Sequence, residues 1–163
     1  MRVRSRQPLL DGAAALRVRR VLYLNGLRGG QIDDAMQEIE LRALERPPRD
    51  RASSTAWACV VATNLAADGH RGKTRHQAAD LGAEMQTMAM DVAEPVGLRD
   101  AVRASLAALP PELRATVVLR FYADFTVPEI AAAMAIPQGT VKSRLHRAVS
   151  QLRQSLPMEA RTT

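Results

Sequence analysis

The stretch TVPEIAAAMAIPQGTVKSRLHRAVSQL, Thr126 to Leu152, decides how this chain is read. Thr126 and Glu129 stand three residues apart, the spacing at which a hydroxyl and a carboxylate close a helix start reciprocally. Ile130, Ala131 and Met134 then share one face of a short helix. Ala135-Ile136-Pro137 makes a corner, with Ile136 filling the angle. Beyond it, Val141, Leu145, Ala148 and Leu152 recur at helical spacing and form an apolar face. That leaves Gln138, Thr140, Lys142, Ser143, His146 and Arg147 outward near the N-terminal end, with Arg144 as a further cation. This is the end that a helix-turn-helix presents to base edges. Cations there can reach phosphates or guanine edges, and Gln138 can pair with adenine. The plainer alternative is a helical hairpin with a solvated basic face.

Composition agrees with helices and with a polyanionic partner. Of 163 residues, 47% are hydrophobic but only 3% aromatic. The apolar content is mostly Ala, Leu and Val, which favours helix over sheet. Net charge is +6 and unevenly placed. Residues 1–76 hold 14 Lys/Arg against 8 Asp/Glu, residues 77–104 hold 2 against 5, and residues 105–163 hold 7 against 4. Two basic blocks thus flank an acidic middle, as expected if nucleic acid is touched at two places.

Cys59 is the only cysteine, which rules out a disulfide framework and a cysteine-based zinc site. A reducing, cytoplasmic compartment is expected. No run of about 18 apolar residues occurs, so no membrane insertion is expected. MRVRSRQPLLDGAAALRVRR lacks the apolar core and cleavage site of a signal peptide and reads as a basic arm leading into a helix.

Along the chain, helices are expected over Leu16–Leu27, with Val18, Val21, Leu22 and Leu24 apolar, and over Gln31–Glu45, with Ile32, Met36, Ile39 and Ala43 on one face. Pro47 and Pro48 end the second, and RDRASS follows as a cationic loop. A third helix, Thr55–Asp68, places Trp57, Val61 and Leu65 in a core row, capped by Ser53, Ser54 or Thr55 and stopped by Gly69. Residues 77–97 are acidic, contain Gly82, Pro95 and Gly97, hold no lasting helix period and read as a flexible linker. Met85, Met88 and Met90 there read as adaptable filler.

After the linker, Leu98, Val102, Leu106 and Leu109 line one helix face, and Pro110-Pro111 breaks it. Leu113, Val117 and Phe121 share the face of the next helix, and Pro157 stops the last one. The expected fold is all-α, two small helical domains joined by a flexible linker, the C-terminal one a helix-turn-helix. The boundaries are 1–76, 77–97 and 98–163.

LPPELRATVVLRFYADFTVPEIAAAMAIPQGTVKSRLHRA, Leu109 to Ala148, closely resembles region 4 of bacterial RNA polymerase sigma factors, in particular the extracytoplasmic-function group. The ordered set LPPELR, EIA and GTVKSRLHRA is far more specific than a generic helix-turn-helix. The resemblance implies that this domain reads the −35 promoter element as duplex and rests on the polymerase flap. It implies that Gln138, Thr140, Lys142, Ser143, Arg144, His146 and Arg147 face the DNA. One departure is Ala135, where many members carry glycine, so the corner must avoid positive φ or carry strain.

The resemblance extends to the N-terminal half. DDAMQEIELRAL, Asp33–Leu44, resembles the region 2 helix that grips the polymerase clamp. Asp34, Gln37, Glu38, Leu41 and Leu44 form a stripe separate from the core stripe, and acids beside exposed leucines mark an interaction face. AWACVVATNLAADGHRGKTR, Ala56–Arg75, resembles the helix that meets the −10 element, which implies contacts from Asn64, Asp68, Arg71, Lys73 and Arg75. PPRDRASS occupies the place where the family captures a flipped base of the melted non-template strand, which brings in Arg49, Arg51, Ser53 and Ser54. The usual stacking aromatics are missing from that loop. The first helix is shorter than is common in the family and follows a basic lead-in rather than an acidic and aromatic one.

The implied function is an extracytoplasmic-function sigma factor that binds core RNA polymerase and directs transcription initiation. An anti-sigma factor is a further partner that the resemblance implies.

Other classes fit less well. Asp33, Asp34 and Glu38 have no second acidic cluster to complete a magnesium site. Cys59, mid-helix beside Trp57, reads as a small buried hydrophobe, and His70, His76 and His146 are scattered through basic segments. No catalytic residue, metal or cofactor is therefore expected. A pure protein-interaction module leaves the two basic blocks unexplained. The serious alternative is a stand-alone helix-turn-helix regulator that binds duplex DNA without polymerase, which would need a dimer interface and a palindromic site.

Overall fold

The computed structural model describes residues 9–49, 51–72 and 96–155. Within them every regular element is helical, as expected. Helix α1 (Gly12–Leu24) starts four residues before the expected Leu16 because Asp11 caps it, accepting a bond from the Ala14 amide at 2.8 Å. It stops at Asn25, and Gly26 (φ 100°) turns the chain in a conformation that glycine adopts without strain. Helix α2 (Gly30–Glu45) buries Ile32, Ala35, Met36, Ile39 and Ala43, the expected core stripe with one alanine added.

Helix α3 (Arg51–Gly72) departs most from expectation. It begins inside the segment expected to be a loop, so Ser53 and Ser54 lie in its first turns rather than before it, and Ser54 is only 3% exposed. Gly69 does not stop it, since a single glycine costs a helix only about 1 kcal/mol. Its buried side is built from small residues, Ala58, Cys59, Ala62, Thr63 and Ala66, with Val61. Trp57 and Leu65 are half-buried at the margin rather than central. Burial pushes the Cys59 thiol up to about 11.

Residues 77–95 of the expected linker lie outside the described residues, and Val96 and Gly97 are the first two residues of α4 (Val96–Ala108). Leu106 and Leu109 are buried as expected, but Val102 is exposed. Pro110 is extended and Pro111 opens α5 (Pro111–Val117), all of whose residues from Leu113 to Val117 are buried. The chain then widens into a π-helical turn, Val118–Tyr122, closed by a bond from the Ala123 amide to the Val118 carbonyl at 3.0 Å.

The extra residue in that turn shifts the helical phase. Phe121, expected beside Leu113 and Val117, is 64% exposed instead, while Val118 and Leu119 turn inward.

Three apolar clusters result. One joins Val18, Val21, Leu22, Ile32, Ile39, Ala58 and Ala62 to Val118. A second joins Leu106, Leu109, Leu113, Val117 and Ala148, and the third joins Leu119, Ile130, Ala131 and Val141. The last two seat α6 (Val127–Met134) and α7 (Gln138–Ser155) against α4 and α5. The elements before residue 73 and after residue 95 pack on one another, since Tyr122, Ala123 and Phe125 also rest on the first cluster.

The corner between α6 and α7 is Ala135, at φ 52° and ψ 45° in the left-handed region. An L-residue is held there at a cost of about 1–2 kcal/mol, offset by bonds from the Ala135 amide to α6 and from the Ile136 amide to the Ala131 carbonyl at 3.0 Å.

Leu119→Ala is expected to cost about 3–4 kcal/mol in urea unfolding, whereas Phe121→Ser, at a solvent-facing position, is expected to cost under about 0.5 kcal/mol. Ala135→Gly is expected to stabilise the chain by about 0.5 kcal/mol, the strain relieved exceeding the entropy that glycine loses. A lower unfolding midpoint for that variant would contradict the strained corner.

Candidate nucleic-acid interface

The candidate surface lies on α7, and the orientation of that helix follows from what precedes it. Thr126 caps α6, and the expected capping box is present. The Thr126 amide donates to Glu129 Oε2 at 2.7 Å, and the Glu129 amide donates to Thr126 Oγ1 at 3.4 Å. The Thr126 amide and then the Thr126 hydroxyl, both donating to Oε2 at 2.7 Å, lower the Glu129 carboxyl from its ordinary value. Ile130 and Ala131 are buried and Met134 and Ile136 pack beside them, as the sequence implies. Past the left-handed Ala135, Pro137 accepts bonds from the amides of Thr140 at 3.0 Å and Val141 at 3.2 Å, starting α7.

Val141 and Ala148 are fully buried, while Leu145 and Leu152 pack half-buried on the clusters below. Anchored on that side, α7 turns the opposite face to solvent. Gln138, Lys142, Ser143, His146 and Arg147 are exposed there, and Thr140 and Arg144 are half-buried beside them. The Ser143 hydroxyl donates to the Thr140 carbonyl at 3.1 Å. No acidic residue occupies the first turn of α7, and no ion pair among the described residues involves Lys142, Arg144 or Arg147. Unneutralised cations at a helix N-terminus form a surface suited to phosphate.

A second surface lies on α2. Asp34, Gln37, Leu41 and Leu44 are exposed, the leucines by 56% and 54%, so the stripe opposite the core face is real. Glu38 is half-buried and accepts a bond from Arg42 Nε at 2.7 Å. Asp33, outside the stripe, pairs with Arg19.

The residues expected at the −10 element are dispersed along α3 and its approach. Arg49, Asn64 and Asp68 are exposed and Ser53 is half-buried. Arg51 and Arg71 lie in the first and last turns of α3. Lys73 and Arg75, like His76, lie outside the described residues. Ser54 is a correction: with the helix begun at Arg51, its side faces the core and is not presented to a partner in solution.

Two features escaped the sequence reading. Arg46, Pro47, Pro48, Arg49, Ser53, Ala56, Trp57 and Val60 face Phe125, Glu129, Ala132 and Ala133 across an open cavity of about 500 Å³. Trp57 thus lines this cavity as well as packing at the margin of the first cluster. Among the described residues Arg114 is buried without a carboxylate partner, donating to three carbonyls. The cavity has no signal in local spacing because its walls are far apart in sequence, and Arg114 bonds the adjoining end of α4 as well as the distant Asn25 carbonyl. Among the described residues, no group of three His, Cys, Asp or Glu side chains comes together to hold a metal, and no helix is long and apolar enough to cross a membrane.

Residues 99–152, which hold α7 and the helices beneath it, match the family described as sigma-70, region 4. Over its greater length the chain is 33% identical to the ECF RNA polymerase sigma factor SigL of Mycobacterium tuberculosis, covering 91% of this chain and 86% of that one. It is 29% identical to the ECF RNA polymerase sigma factor RpoE of Cereibacter sphaeroides, covering 87% and 81%. It is 32% identical to ECF sigma factor SigW of Bacillus subtilis, covering 77% and 75%.

The fold resembles that of the sigma factor RpoE from Bartonella quintana, solved in complex with the anti-sigma factor NepR. The TM-score is 0.66 at 17% identity, over 88% of this chain and 91% of that one. The stand-alone regulator is not favoured by these relatives, whose likeness runs through both halves rather than the helix-turn-helix alone. With a region 4 helix-turn-helix at one end and likeness to SigL and SigW over most of its length, the chain belongs to the extracytoplasmic-function sigma factors of RNA polymerase.

Proposed function

We propose that the chain reads a promoter at two points while attached to core RNA polymerase, acting as a non-catalytic initiation factor in the cytoplasm. The observation that carries this reading is α7, whose exposed cations have no acidic partner among the described residues and stand opposite the apolar face anchored by buried Val141 and Ala148.

In this reading residues 98–163 form the region 4 domain. Gln138, Thr140, Lys142, Ser143, Arg144, His146 and Arg147 meet the −35 duplex, and the domain rests on the polymerase flap. Residues 1–76 form the region 2 domain. Its α2 stripe, Asp34, Gln37, Glu38, Leu41 and Leu44, docks on the clamp with two solvent-facing leucines that have no other evident purpose. Arg49, Arg51, Ser53, Asn64, Asp68, Arg71, Lys73 and Arg75 serve the −10 element and the melted non-template strand, and residues 77–97 link the two domains.

Each half carries modest charge, +6 over residues 1–76 and +3 over residues 105–163. Phosphate-driven affinity of either half alone is therefore weak and falls steeply with salt. An anti-sigma factor is a natural further partner, as NepR is for the Bartonella protein.

Run-off transcription with core polymerase tests the division of labour. Lys142→Ala or Arg147→Ala is expected to lower −35-dependent initiation roughly tenfold with core binding unchanged. Loss of core binding in those variants would contradict the assignment. Glu38→Lys should instead weaken core association about tenfold, and normal association would count against the clamp stripe. Tight, sequence-specific binding to duplex promoter DNA without polymerase would restore the stand-alone regulator.

A further inference from the structure

Helix α4 ends at Ala108, and two prolines follow at positions 110 and 111. In a continuing α-helix the Leu106 and Ala107 carbonyls would accept from the amides of residues 110 and 111. Proline has no amide hydrogen, so neither bond can form. The Leu109 carbonyl loses its usual partner too, because the Leu113 amide donates to the Pro110 carbonyl at 3.0 Å. The corner between α4 and α5 thus begins with three backbone acceptors to satisfy.

Two donors meet them. The Leu109 amide turns back to the Leu106 carbonyl at 3.2 Å. Arg114, one turn into α5, donates from Nη2 to the carbonyls of Ala107 and Leu109, both at 2.9 Å. That nitrogen carries two hydrogens, one for each carbonyl, and its charge lies at the negative end of α4. Burial, and then the Arg28 guanidinium, work against the charge and lower Arg114 from its ordinary value. Nη1 also reaches the Asn25 carbonyl at 3.3 Å, but both bonds to the end of α4 are made within residues 96–117.

This corner is the floor on which α7 rests. Leu106 and Leu109 before it, and Leu113 and Val117 after it, form one cluster with Ala148, and Leu145 and Leu152 pack on the same cluster. Two turns earlier, Val141 is held by Leu119 and Ile130 in a separate cluster. Tilting α7 by about 10° about Val141 would move Arg147, about 9 Å along the axis, by roughly 1.5 Å. A shift of that size breaks a hydrogen bond to a base edge or a phosphate.

We propose that Arg114 is a positioning residue for promoter recognition: by bonding the carbonyls that Pro110 and Pro111 leave without amide donors, it fixes the α4–α5 corner and so the aim of Lys142 and Arg147 at the −35 element. This rests on the promoter reading above.

Run-off transcription with the full chain and core polymerase tests it. One template is a promoter recovered from a genomic fragment library with the unaltered protein, and the other is that promoter with its −35 element scrambled. The readout is the ratio of initiation on the two, which a loss of stability alone moves little because it removes active protein from both. Arg114→Met keeps the apolar stem without its donors and is expected to lower the ratio about tenfold with core binding unchanged. Arg114→Lys keeps a charge and a donor, guards against a folding failure of the methionine variant, and is expected to lower the ratio about threefold. Arg114→Ala makes room for a free guanidinium ion. Guanidinium chloride well below denaturing concentration should restore its ratio, whereas equal sodium chloride should not.

An unchanged ratio in Arg114→Met and Arg114→Lys would overturn this role. Equal losses on both templates would overturn it too, as would a ratio that guanidinium leaves where sodium chloride does. Absence of initiation on every fragment with the unaltered protein would instead overturn the promoter reading itself, and this role of Arg114 with it.

Discussion

Val117, Val118 and Leu119 are consecutive residues, yet each is buried in a different apolar cluster. That is possible only because α5 is enclosed from Leu113 to Val117 and then widens into a π-helical turn. A regular α-helix presents one stripe to one neighbour, whereas here α4 and α7, α6, and the N-terminal helices are all served from a single turn of chain. The aim of α7 depends on this junction, because Leu119 and Val117 support the two ends of its buried face.

Above that junction the site is built from small geometric choices. The capping box fixes where α6 begins, and the left-handed Ala135 fixes where it ends. Between them they decide which side of α7 meets the core, and so which side carries its cations into solvent. A strained non-glycine corner is the cost of that orientation, and it is met by the backbone bonds that end α6. The exposed stripe of α2 is simpler, being what remains when the opposite face is spent on the core.

Much of this was legible beforehand. The period of Ile32, Met36 and Ile39, the Thr126–Glu129 pair and the spacing of Val141 and Ala148 each express interactions within a turn or two of helix. Such interactions survive any global arrangement. The readings that failed all depended on longer range. RDRASS looks like a loop by composition, but neighbouring helices bury Ser54 and extend α3 back to Arg51. Phe121 keeps a perfect i, i+4, i+8 relation to Leu113 and Val117, and a single π turn removes it from their face. Trp57 and Val102 are apolar residues at core spacing that the tertiary arrangement leaves beside a cavity or in solvent.

The sequence by itself therefore determined the all-helical class, the helix-turn-helix, the charge of its outward face and the likeness to sigma factors. Helix period, capping and residue order are local properties of the chain. Only the tertiary structure decided that Arg17, Arg103 and Arg114 would tie the two halves together, and that residues 46–49 would face α6. Those contacts join residues 80 to 107 positions apart, and two of the four partners are backbone carbonyls, which every residue carries. No side-chain pattern can announce a carbonyl partner, and no local spacing links side chains so far apart, so these contacts were invisible until the helices were packed.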